Sequence, residues 1–289
     1  MKTSKRISVA LLFIVLSFSF ISFAAERPLG PEVKKIAREN RDVTIQNIDI
    51  NGIPSYELYK GRGVAKPLAI ILHGASGNKD QMVWQALDLA RKGFYCVMPD
   101  AFAHGERVND PARLLTEIEV ATSNECNTIV EYYLTNKMVN TQKLGLIGFS
   151  MGGSSCYHYA AYGKYKPVAI AAFSSTPYWE QLDHSDIPMT MYSVKTGFYG
   201  TTMSREEANA YLKDNSPSKN YQRMKDMTVV MLHGENDDVI SPIGAKKLYD
   251  ALKEIGAPNV YLIMTKGGHG GESPEEHNKV IKLFTDAFK

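Results

Sequence analysis

Leu144-Gly145-Leu146-Ile147-Gly148-Phe149-Ser150-Met151-Gly152 opens as an apolar run and closes in the pattern G-x-S-x-G. With glycine and serine each near ~7% of residues, a chain of 289 residues should hold only about 0.1 chance copies of that pattern. The run before it has the length and composition of a buried strand, and the segment after it has helical length. A serine at such a strand-to-helix turn is forced into a strained conformation, and glycines two residues to either side let neighbouring backbone pass close by. The Ser150 hydroxyl is then expected to project from the sheet edge. The alternative is a glycine-serine turn with a purely structural role.

Working outward, the same alternation repeats. Apolar runs at 68–72, 95–98, 168–173, 228–232 and 260–264 resemble the run at 144–147, and all six are expected to be parallel strands buried on both faces. Between them lie segments of helical length at about 79–91, 111–135, 151–162, 243–255 and 274–288. Ahead of them, two β-rich stretches within 43–60 flank Asn51-Gly52, a hairpin signal that predicts an antiparallel start to the sheet. This order predicts an α/β fold with a mostly parallel sheet of about eight strands flanked by helices, forming one domain over residues 25–289. The rhythm breaks only at 174–227, which carries several aromatic residues and a helix from about Arg205 with Ser204 and Glu207 as a capping box. Two readings of that stretch stand side by side: a lid or insert over the site, or an ordinary helical connection with core aromatics.

A serine hydroxyl is a weak nucleophile at neutral pH, so it needs a base, and the base needs a partner that fixes its tautomer. The run at 228–232 leads into His233-Gly234-Glu235-Asn236-Asp237-Asp238, and the run at 260–264 leads into Gly267-Gly268-His269-Gly270. The chain order Ser150, Asp237, His269 is the one this fold uses, each residue following a different predicted strand. His269, set among glycines in a polar loop, fits the base better than a core histidine would. Asp237, three residues after Gly234, is favoured over its neighbour Asp238 as the acid.

Acyl transfer also needs donors aimed at the developing oxyanion, and backbone N–H groups serve best because folding has already fixed them. The amide of Met151, at a helix N-terminus, is one candidate. The amide of Ala75, at the exit of the first parallel strand in His73-Gly74-Ala75-Ser76-Gly77-Asn78, is the other. His73 itself reads as a structural residue rather than a second base. No metal or organic cofactor is required by this chemistry, and no cysteine or histidine spacing has the look of a zinc site.

With these pieces placed, the chain resembles the α/β-hydrolases, and within them the bacterial esterases of the dienelactone hydrolase and prolyl oligopeptidase-like group. The resemblance rests on HGASGN, MPDAFAHGER, GFSMGG, HGENDDVISP and GGHG, in family order from about residue 68 to the C-terminus. It implies a triad of Ser150, Asp237 and His269 and a small-molecule ester or short peptide as substrate. Two departures are visible. HGENDDVISP has one residue more between acid and proline than D-x-x-V-P, and the chain has no β-propeller like that of the true prolyl oligopeptidases. His104 and Gly105 match a loop near the pocket in relatives, where His104 either stabilises the loop or touches substrate.

The first 24 residues stand apart. Lys2, Lys5 and Arg6 precede an apolar run from Ile7 to Phe23 closed by small residues, the pattern of a secretory signal peptide cut between Ala24 and Ala25. The competing reading is an uncleaved membrane anchor. On the first reading the mature protein is secreted or periplasmic, with no membrane association after cleavage. The segment carries three of the 33 basic residues and none of the 31 acidic ones, so its removal leaves a net charge of −1 and no case for nucleic-acid binding. Cys96, Cys126 and Cys156 make an odd set, poor as a disulfide framework, although a bridge between Cys126 and Cys156 is one option. Oligomeric state is not written in the pattern.

Overall fold

The computed structural model of the protein describes residues 28–109, 115–179 and 205–289. The expected signal peptide, the start of the segment at 111–135 and residues 180–204 of the 174–227 excursion, Ser204 of the capping box included, lie outside the described residues.

Eight strands form one sheet: β1 (Thr44–Ile50), β2 (Ile53–Tyr59), β3 (Lys66–Leu72), β4 (Tyr95–Pro99), β5 (Val139–Phe149), β6 (Ala169–Phe173), β7 (Thr228–Gly234) and β8 (Val260–Thr265). Their spatial order is β1-β2-β4-β3-β5-β6-β7-β8, with β2 antiparallel to both β1 and β4 and every later pairing parallel. The hairpin joining β1 to β2 turns through Asn51 and Gly52 at φ 53° and 87°, the two positive angles a two-residue turn needs to match strand twist.

The parallel strands read as continuous apolar runs because both their faces are covered. In β3, Leu68, Ile70 and Leu72 enter a core shared with α3 (Leu115–Tyr133), α4 (Met151–Tyr162) and α6 (Ile243–Glu254). The alternate residues Ala69 and Ile71 enter a second core with α1 (Pro31–Glu39), α2 (Val83–Arg91) and α7 (Pro274–Asp286). This is the period-two alternation of a strand divided between two helical layers. Each fully buried Leu or Ile contributes about 2 kcal/mol. Gly145 belongs to the same logic, since a Cβ there would stand 2.4 Å from the ring of Phe284 on α7.

Some elements differ from expectation. The segment at 79–91 begins as a 3₁₀ turn over Lys79–Met82, capped by the Asn78 side chain accepting from the Asp80 amide at 2.9 Å, and only then becomes α2. Helix α1 was not anticipated; it starts at Pro31 and buries only Val33 and Ile36, too short a stripe to stand out. Cys126 and Cys156 form no bridge, and all three cysteines are free and buried. Within the 174–227 excursion, α5 (Arg205–Asn215) and a 3₁₀ stretch at Pro217–Met224 run back toward β7. There the Ser218 amide donates to Pro177 O at 2.9 Å, and the Trp179 amide donates to Ser216 Oγ at 3.1 Å. Trp179 is fully buried.

Candidate active site

Ser150 sits between β5 and α4 with φ 53° and ψ −117°, a conformation L-residues avoid and keep only where the surroundings over-determine it. The surroundings are glycines. A Cβ on Gly148 would lie 2.2 Å from Gly152 O, and one on Gly152 would lie 2.3 Å from Leu72 O at the end of β3. The Ser150 amide donates to Phe173 O of β6 at 2.8 Å, pinning the turn to the neighbouring strand.

The acid and base loops leave the adjacent strands β7 and β8, which remain paired to Gly234 and Thr265. Beyond that pair the two loops stay joined: the Asn236 amide donates to Gly267 O at 3.1 Å, and the Asn236 side chain donates to Lys266 O at 2.9 Å. Gly234 has no room for a side chain, since a Cβ would stand 2.3 Å from Gly268 O. Two chain segments some thirty residues apart are thereby delivered to one place.

His269 Nδ1 donates to Asp237 Oδ2 at 2.9 Å, and Nε2 lies 3.0 Å from Ser150 Oγ. With Nδ1 carrying the proton, Nε2 accepts from the serine hydroxyl, the protonation state a general base needs. The side chain of Asp237 is fully buried, whereas Asp238 is exposed. Asp237 Oδ1 accepts from the amides of Val239 at 3.0 Å and Ile240 at 2.9 Å, and Oδ2 also faces His233 Nε2 at 3.2 Å. Burial alone would raise the Asp237 carboxyl, but the bonds from His233, His269 and the Ile240 amide overcome it and hold the group below the usual carboxylate range.

Of the two nominated oxyanion donors, Met151 follows Ser150 directly as the first residue of α4, and Ala75 lies three residues beyond the end of β3. Ala75 and Met151 belong to one apolar cluster, with Ala101, Ile118, Trp179 and Ile240. His73 is structural: Nδ1 donates to Gly74 O at 2.8 Å, Nε2 accepts from the Ala101 amide at 3.0 Å, and burial lowers its pKa to about 4. His104 is buried as well, with Nδ1 donating to Phe102 O at 3.0 Å, which favours the loop-stabilising reading. Sequence reasoning missed His233, the first residue after the apolar run at 228–232, and Lys79, whose ammonium is buried against Asp100 at 2.8 Å. Among the described residues no cluster of His, Cys, Asp or Glu has the form of a metal site.

A mostly parallel sheet with helices on both faces and a serine, histidine and aspartate in register at its edge define a serine hydrolase of the α/β-hydrolase fold. The chain belongs to the prolyl oligopeptidase family, whose sequence pattern matches residues 81–289. It is similar to the Bacillus subtilis protein named "Putative esterase YitV", 28% identical over 224 residues that cover 73% of this chain and 85% of that one. It is also similar to the Escherichia coli esterase YjfP, 24% identical over 74% of this chain and 86% of that one. Among solved structures, the Pyrococcus horikoshii acylaminoacyl peptidase superposes with a TM-score of 0.65 at 19% identity, covering 92% of this chain and 44% of that one, a likeness of fold.

Proposed function

We propose that the chain is an exported esterase that cleaves carboxylic esters through an acyl-enzyme on Ser150. The observation that carries this reading is the continuous line Ser150 Oγ, His269 Nε2, His269 Nδ1, Asp237 Oδ2, with gaps of 3.0 and 2.9 Å. As Oγ attacks the carbonyl carbon, its proton passes to His269 Nε2. Asp237 holds the imidazole in position and stabilises the charge it acquires. The carbonyl oxygen becomes an oxyanion and takes the N–H groups of Ala75 and Met151. Collapse of the tetrahedral intermediate breaks the bond to the alcohol oxygen, which receives the proton from Nε2. Water then gives a proton to Nε2 and attacks the acyl carbon, and collapse of the second tetrahedral intermediate breaks the bond to Ser150 Oγ, which takes the proton back from Nε2 as the acid departs.

Two similar proteins named as esterases favour the ester over the amide, and the basic, apolar, small-residue pattern of residues 1–24 supports export to a periplasm or the medium. The acylaminoacyl peptidase fold likeness motivates the second reading, a peptidase of the same mechanism. Initial rates on a p-nitrophenyl ester and on the p-nitroanilide with the same acyl group separate the two. The esterase reading requires kcat/KM on the ester to exceed that on the anilide by at least about a hundredfold, some 3 kcal/mol of transition-state preference. Comparable rates on both would favour the peptidase.

A further inference from the structure

The Ala75 amide lies in a segment that carries strain of its own. Ser76, the next residue, has φ 60°, a left-handed angle that a non-glycine residue holds only under constraint. The turn itself sets that angle, the Gly77 amide donating to Gly74 O at 3.2 Å, and both ends of the segment are fixed by the loop that follows β4. At the start of the segment, His73 Nε2 accepts from the Ala101 amide at 3.0 Å. At its end, the Lys79 amide donates to Asp100 Oδ1 at 2.9 Å and the Lys79 ammonium to Asp100 Oδ2 at 2.8 Å. The carboxylate of Asp100 also accepts from the Glu106 amide at 3.0 Å, and Lys79 reaches on to Glu106 Oε1 at 2.6 Å and over the ring of Tyr56 at 5.1 Å. Asp100 and Lys79 are 0% and 5% exposed. Gly105 is cut to fit this clasp, since a Cβ there would stand 2.3 Å from the Asp100 carboxyl.

A buried ion pair of this kind is a poor source of net stability, because desolvation cancels most of the attraction. Its geometric effect is specific: Asp100 joins the amides of residues 79 and 106 to one ammonium, while its own amide is tied to Pro54 O of β2 at 2.8 Å. We infer that the Lys79–Asp100 clasp is a positioning device that holds the Ala75 amide at the oxyanion. The inference rests on the proposed esterase reading. Lys79 and Asp100 are positioning residues that touch no reacting atom, so their loss is felt where charge develops on the carbonyl oxygen more than where substrate first binds.

The test uses purified Asp100→Asn and Lys79→Met with a p-nitrophenyl ester, together with the inhibition constant of phenylboronic acid, whose tetrahedral adduct on a serine mimics the oxyanion. The inference expects kcat to fall at least about tenfold with KM within about twofold, and boronate affinity to weaken in step with kcat/KM. Lys79→Met leaves Asp100 its two amide donors and serves where Asp100→Asn does not fold. Folded variants with wild-type kcat, or with the loss confined to KM, overturn the inference, as does failure of both variants to fold, which would make the clasp purely structural. The underlying reading fails separately: wild-type protein that neither turns over the ester nor binds the boronate removes it, whatever the clasp variants do.

Discussion

His233 Nε2 lies 3.2 Å from Asp237 Oδ2, the same oxygen that accepts from His269, and 2.8 Å from the carbonyl of Ile240, whose own amide donates to Asp237 Oδ1 at 2.9 Å. The side chains of His233 and Asp237 are both buried, 1% and 0% exposed. The carboxylate is therefore oriented by its own loop before His269 is considered, and His269 meets an acid already fixed in place.

Removing that support should loosen the acid without touching substrate. In His233→Leu, Asp237 loses a buried donor, which costs about 1–3 kcal/mol of folding stability. We expect kcat to fall by roughly tenfold with KM little changed, measured by ester kinetics, with the stability loss measured by urea unfolding. Full activity in a folded His233→Leu protein would show that the amides of Val239 and Ile240 suffice.

The adjacent aspartates give a sharper contrast. Asp237→Asn should keep the fold yet present the wrong partner to His269 Nδ1, lowering kcat by roughly 10⁴-fold. Asp238→Asn, on an exposed side chain, should leave kcat within about twofold. Paired measurements of kcat on one ester check both, and a large loss in the Asp238 variant alone would reverse the assignment.

The glycines of the nucleophile turn are steric requirements. Gly152→Ala would put a Cβ 2.3 Å from the Leu72 carbonyl, a contact that backbone cannot relieve without moving Ser150 or β3. We expect a stability loss of about 2 kcal/mol or more from overpacking and a kcat at least about a hundredfold down from displacement of the hydroxyl. Thermal unfolding and ester kinetics read the two effects, and a variant with wild-type kcat would mean the turn tolerates the methyl group.

Two buried histidines make stability sensitive to mild acid. Burial lowers the pKa of both His73 and His158 from 6.5 to about 4. The unfolded chain therefore takes up their protons at a higher pH than the folded one, and between pH 6.5 and 4 stability falls as pH falls. Each contributes up to about 1.4 kcal/mol per pH unit within that window. His158 stacks on Trp179 at 5.5 Å with an interplanar angle of 4°, so His158→Phe preserves the ring contact while removing the titration. Its unfolding free energy, followed from pH 7 to 4 by denaturant titration, should lose about one proton of pH dependence relative to wild type. An unchanged slope would contradict this account of His158.

Much of the fold, with Ser150 and His269 at its edge, was legible because each is a local pattern. Apolar runs marked β3 through β8, Asn51-Gly52 marked the hairpin, and G-x-S-x-G at the end of an apolar run marked Ser150. What stayed hidden depends on contacts between distant segments. Asp237 and Asp238 differ in which carboxylate meets the Val239 and Ile240 amides, and nothing in their spacing shows that. Lys79 and Asp100 lie 21 residues apart on different loops and form no periodic pattern, so only the packing of β3 beside β4 brings them together. His233 follows an apolar run and lies within β7, and its role depends on a loop that turns back over it. Helix α1 offers only Val33 and Ile36 to the core, below what periodicity can reveal.

The central claim is that Ser150 carries the acyl group, and the most direct measurement is intact-protein mass spectrometry after rapid acid quench of a reaction with a p-nitrophenyl ester, on wild type and on Ser150→Ala. The account predicts an added mass equal to the acyl group less the hydrogen it replaces on wild type, located on the peptide containing Ser150, and neither adduct nor turnover in the variant. An adduct on another residue, or turnover that survives unchanged in Ser150→Ala, would contradict it.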